Sequence, residues 1–65
     1  MDHVTQIDFH DEDANCPAFV IVRATDNIVG LTLSLVSQGD FAVYFTPEVA
    51  RKLASTLSAA AELTA

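Results

Sequence analysis

The sequence predicts an α+β fold: an antiparallel four-stranded β-meander followed by one C-terminal amphipathic α-helix packed on one sheet face, in the order ββββα. Three observations carry that reading. Phe41, Val43 and Phe45 alternate with Ala42 and Tyr44 in a strand that runs through Thr46-Pro47 straight into a helical pattern. Two apolar, β-branched runs flank Asp26-Asn27, residues suited to a two-residue hairpin turn. Val49, Leu53, Leu57 and Ala60 then recur at helical spacing, with Ala50, Ala54 and Ala61 along one flank. A single small domain over residues 1–65 is expected, with strands at about 3–10, 18–25, 28–36 and 41–45 and a helix at about 47–63.

Each element has its own warrant. In residues 3–10, Thr5, Ile7 and Phe9 share one side and Val4, Gln6, Asp8 and His10 the other, a pattern suited to an edge strand. Residues 11–17 (Asp-Glu-Asp-Ala-Asn-Cys-Pro) lack periodicity and read as a loop. Residues 18–25 resume a strand of β-branched and aromatic side chains. A turn at Asp26-Asn27 sets Ala24 against Val29, Val22 against Leu31, Val20 against Leu33 and Ala18 against Leu35, so turn chemistry and a common apolar face demand one register.

For the next hairpin, a three-residue loop Ser37-Gln38-Gly39, with Gly39 left-handed, predicts the pairs Leu35–Phe41, Leu33–Val43 and Leu31–Phe45. A two-residue Gln38-Gly39 loop would turn Phe41, Val43 and Phe45 to the opposite side. At the helix start, the Thr46 hydroxyl is placed to accept from a free backbone N–H, Pro47 loses no hydrogen bond there, and Glu48 complements the positive end of the dipole. The other end has no glycine cap and carries Glu62 near the negative pole, so fraying of the last turn is expected.

Composition narrows the function classes. Three basic and nine acidic residues give a formal net charge of −6, which opposes direct contact with nucleic acid or an anionic membrane. Five of the acids fall in residues 1–13, so an acidic end is expected, with Asp8, Asp11, Glu12 and Asp13 as its patch. No apolar run approaches the ~20 residues of a membrane span, and Met-Asp-His-Val lacks the basic start of a secretion signal; the expectation is a cytoplasmic chain. The single cysteine, Cys16, cannot close an intrachain disulfide. Yet 51% of the residues are hydrophobic, more than so short a monomer hides easily, and self-association or a partner is the simplest remedy.

With one helix for two sheet faces, the face carrying Phe19, Ile21, Arg23, Val36 and Tyr44 is expected to be bare and to act as an interface. Catalysis has no support: Cys16 lies among carboxylates that would raise its pKa, and no nucleophilic set or phosphate-binding loop is present, so no catalytic residue and no cofactor is assigned. Asp11, Asp13 and Asn15 match the opening of a calcium loop of the EF-hand type, but Cys16 stands where that loop needs glycine and Val22 where it needs the bidentate glutamate. A transition-metal set drawn from His3, Asp8, His10, Asp11, Asp13 and Cys16 meets another obstacle, since positions 3 and 10 point to opposite faces of a regular strand. His10, Asp11 and Asp13 are therefore the only metal candidates, and no metal site is assigned.

The run Phe45-Thr-Pro-Glu-Val-Ala-Arg-Lys-Leu-Ala-Ser-Thr-Leu57 resembles the ending of many short bacterial and phage proteins, a likeness that capping and amphipathicity account for. In size and charge the chain also resembles small phage-encoded inhibitors of host defence. The expectation is a small acidic non-enzymatic protein-interaction module, a homodimer that binds or blocks a partner protein, with a nucleic-acid-binding protein as the target class because its basic groove complements an acidic patch. The alternatives are a small metal- or ligand-binding protein using the His10–Cys16 loop, or a structural subunit of a larger assembly.

Overall fold

The computed structural model describes residues 3–64; residues 1, 2 and 65 of the expected domain lie outside the described residues. The order is β1 (His3–Asp11), β2 (Cys16–Thr25), β3 (Ile28–Leu35), β4 (Gly39–Phe45) and α1 (Pro47–Leu63). The strands form one antiparallel sheet in the order β1-β2-β3-β4. This is the expected ββββα architecture, and it settles the place of the first strand at the edge beside β2.

Of the segment expected to be a loop at 11–17, residues 12–15 form the turn of a tight hairpin, and residues 11, 16 and 17 belong to its strands. Asp11 pairs with Cys16, and β2 begins two residues earlier than the strand pattern suggests. Asp11 is bent into its own turn: its Oδ1 accepts from the backbone N–H of Asp13 at 3.0 Å and of Ala14 at 3.3 Å, while its carbonyl accepts from Asn15 N–H at 2.7 Å. Asn15 supplies the positive φ of 55° that closes the turn, a conformation asparagine tolerates well. Pro17 is accommodated because β3 ends opposite Ala18, so no third strand calls on the donor that proline lacks.

The β2–β3 register is as expected, from Ala18–Leu35 through Ala24–Val29, around Asp26-Asn27. Of the two turn residues only Asp26 takes positive φ, at 43°. The β3–β4 register differs from the expected one by two residues: Leu33 pairs with Phe41, Leu31 with Val43 and Val29 with Phe45, and Val36, Ser37 and Gln38 form the connection. A shift of two preserves which side chains share a face, so apolar matching alone does not distinguish the two alignments. Polar and steric matching does. Ser34 now faces Asp40 and donates to its Oδ1 at 2.7 Å, and Tyr44 faces Gly30. The Tyr44 ring lies over Gly30 so closely that a methyl group built there would stand 2.9 Å from Cε1.

α1 starts as its sequence dictates, with Thr46 Oγ1 accepting from Val49 N–H at 3.3 Å and Pro47 in the first turn. Its last turn, expected to fray, is closed by Thr64, whose N–H and hydroxyl both donate to the Ala61 carbonyl. The helix lies over one end of the face that carries Val22, Val29, Leu31 and Phe45 and meets it with Ala50, Leu53, Ala54 and Leu57. The helix is thus rolled toward its alanine flank, leaving Val49 exposed. Between the two layers remains an open apolar recess of about 170 Å³. No residue of α1 is buried, and among the described residues Ala18 is the one buried hydrophobic side chain.

Two substitutions check this description at one fixed protein concentration. Gly39 opens β4 with a φ of 85°, so Gly39→Ala is expected to lower unfolding free energy by roughly 1–2 kcal/mol, and Gly39→Asn by less. Thr46→Ala, which removes the helix cap, is expected to cost about 1 kcal/mol. Denaturant titrations read both; a neutral Gly39→Ala would rule out the left-handed turn.

Candidate functional site

Cross-strand partners point to the same side of a sheet, so the register sorts every strand residue onto one of two faces. The face under α1 is built from rows such as Ile7–Val20–Leu33–Phe41 and Thr5–Val22–Leu31–Val43. No charged side chain occurs in those rows. Because α1 covers only one end, Ile7 is 54% exposed, Phe41 52% and Val43 50%, and on the helix Leu57 is 61% exposed. Sequence reasoning set Phe41 and Val43 on the face that the helix covers and Leu57 on the apolar side of the helix, and gave Ile7 only a side of an edge strand. The signal it overlooked is geometric: one helix about 10 Å wide spans about two of the strands, which lie ~4.8 Å apart.

The opposite face carries four of the five residues expected as an interface: Phe19, Ile21, Arg23 and Tyr44. They are brought together, with Arg23 and Tyr44 on either side of Gly30. Val36 is not among them. β3 ends at Leu35, and Val36 stands exposed in the β3–β4 turn, a correction that follows from the two-residue shift in register. This face is mixed in character, since the row Asp8–Phe19–Ser34–Asp40 carries a carboxylate at each end and Gln6 Nε2 donates to Asp8 Oδ1 at 2.9 Å. Only a modest apolar strip is available on it.

The acidic patch lies at one end of the sheet. Glu12 and Asp13 occupy the β1–β2 turn, beside Asp11 at the end of β1, and Asp8 sits one turn of the pleat back on the mixed face. The β3–β4 turn shares this end, whereas α1 begins at the other, next to Phe45. Arg51 and Lys52 are therefore carried on the helix, away from the acidic turn in sequence and element, and Lys52 Nζ reaches Glu48 Oε1 at 3.9 Å. The Coulomb contribution of so exposed a pair is small.

The metal candidates do not converge. His10 Nε2 is hydrogen-bonded to Asn15 Oδ1 at 2.9 Å, Asp11 Oδ1 is occupied by two backbone N–H groups, and His3, across from Ala24, lies on the other face from His10, across from Pro17. Cys16 is a free, partly covered thiol opposite Asp11. Among the described residues no three of the types His, Cys, Asp and Glu come together as a metal ion requires. Also among them, no helix is long and apolar enough to cross a membrane. Melting curves with added calcium, added zinc or a chelator are expected to superimpose on the untreated curve; a midpoint raised by either ion would reveal a site that this arrangement does not provide.

No protein-family model, no curated protein and no solved structure matches this chain.

Proposed function

We propose that the chain is a small acidic interaction module without chemistry of its own, which works as a homodimer and acts by binding or blocking another protein. One observation carries the reading: a single copy leaves its apolar sheet face open. A compact chain of 7.0 kDa exposes about 4,000 Å². This one exposes 5144 Å², an excess of roughly 1,100 Å² over that expectation. Its radius of gyration, 13.0 Å, likewise exceeds the ~10.7 Å of a compact chain of this length. A plate 35 × 28 × 15 Å with one dry side is half of a structure, in the energetic sense that burial must come from a second body.

The acidic turn supports the second half of the proposal. Asp8, Glu12 and Asp13 are exposed at one end, and the whole chain carries −6, so the surface left over after self-association presents concentrated negative charge. Its natural complement is a basic surface, and a basic groove that ordinarily holds nucleic acid is the target class that this charge fits.

Association coupled to folding has a direct signature. Light scattering is expected to give twice the 7.0 kDa chain mass, and the melting midpoint is expected to rise with protein concentration by mass action. A folded species of single-chain mass, melting at a concentration-independent temperature, would overturn the proposal.

A further inference from the structure

We infer that the second copy docks on the helix-bearing face, over the part of the sheet that α1 leaves open, and not on the opposite face with Phe19, Ile21 and Tyr44. The inference rests on the homodimer proposed above and assigns its contact surface. The surface consists of Ile7, Phe9, Val20, Leu33, Phe41 and Val43, bordered by the flank of α1.

Area favours a second copy as occupant. The excess exposure of roughly 1,100 Å² per chain corresponds to about 2,200 Å² in a pair, within the range of permanent homodimers and above the ~1,600 Å² of a standard interface. Such interfaces are also the more apolar ones, resembling a domain core cut in two. The open patch has that composition.

Charge favours this face over its opposite. Two copies, each with a net charge of −6, repel unless the contact keeps carboxylates apart. The cross-strand rows of the helix-bearing face that build the patch hold no charged side chain; Asp11, on this face at the end of β1, has its Oδ1 turned into its own hairpin, and Glu12 and Asp13 stand in the turn beyond it. On the opposite face a two-fold contact around Phe19 would bring Asp8 and Asp40 of both copies together, with Arg23 the one cation in the strands to offset them. Burying those carboxylates imperfectly paired is costly.

The helix adds a complementary stripe. Ala50, Ala54 and Leu57 face the chain's own sheet, and Leu53, at the boundary and 37% exposed, also joins the neighbouring flank of Val49, Thr56, Ala60 and Leu63. Their spacing alternates between four and three residues, the pattern by which one helix packs along another element, and the small Thr56 and Ala60 permit close approach. Val49 and Leu63 are both exposed in the single chain. A two-fold axis beside this flank sets each helix against the border of the other copy's open patch, an isologous contact that closes at two copies.

The test begins with the unmodified protein. Methyl signals of Ile7, Leu33 and Val43 are recorded with a soluble gadolinium chelate, with those of Val4 and Ile21 as references on the opposite face. Mass is measured on the same sample. A dimer whose Ile7, Leu33 and Val43 methyls are protected while Val4 is broadened supports the inference. A dimer in which Ile21 is protected and Val43 is broadened overturns it and leaves the homodimer standing; a folded monomer overturns both. Variants then read the energy: Phe41→Glu is expected to raise the dimer Kd by about thirtyfold or more, the scale of an interface hot spot, whereas Tyr44→Asp leaves it within about threefold. Equal sensitivity of the two variants, in samples that keep the native circular dichroism, would also overturn the assignment.

Discussion

A four-stranded sheet is too wide for one helix to cover. Four strands at ~4.8 Å spacing present about twice the width that a helix ~10 Å across can shield. Nearly every other feature of the molecule follows from that mismatch. Val22, Val29, Leu31 and Phe45 find a partner layer in α1, the rest of their face does not, and even the covered end encloses an open recess. The driving force available to a single copy is correspondingly weak, since burial of apolar surface is the main favourable term and almost no side chain is fully buried.

Local rules place the elements securely despite this. Strand period, the Asp26-Asn27 turn and the Thr46-Pro47 cap each act over a few residues, and each is legible in the sequence. The β3–β4 alignment was less so, because two registers put the same leucines opposite the same aromatics' face. The choice rests on Ser34 donating to Asp40 and on Tyr44 covering Gly30. The available clue was Gly30, a glycine inside a strand pattern that an aromatic on the next strand can cover. The pairing of Asp11 with Cys16 around the turn at 12–15 was hidden for a related reason: the order of the turn comes from a side chain bonding its own backbone, which leaves no periodicity to find.

The candidate surfaces show the same division. Phe19, Ile21, Arg23 and Tyr44 do share a face, as alternation requires, and Val36 left that group once the strand ended before it. The exposed apolar surface beside the helix was hidden from sequence reasoning, because alternation states which residues point the same way and is silent on how much of that side a partner layer reaches. The roll of α1 toward its alanines is similar in kind. Small residues let the axis approach the sheet, and the choice between the valine and alanine sides is made by shape rather than hydrophobicity.

The strand order β1-β2-β3-β4 has a kinetic consequence. Every ladder joins neighbours in sequence, so the sheet closes through short loops and never waits for a distant segment to arrive. The three hairpins zip on a timescale of microseconds, long before two dilute chains meet. In the homodimer proposed above, the encounter between copies is then the slow event in maturation, and its duration is set by how many molecules the cell holds.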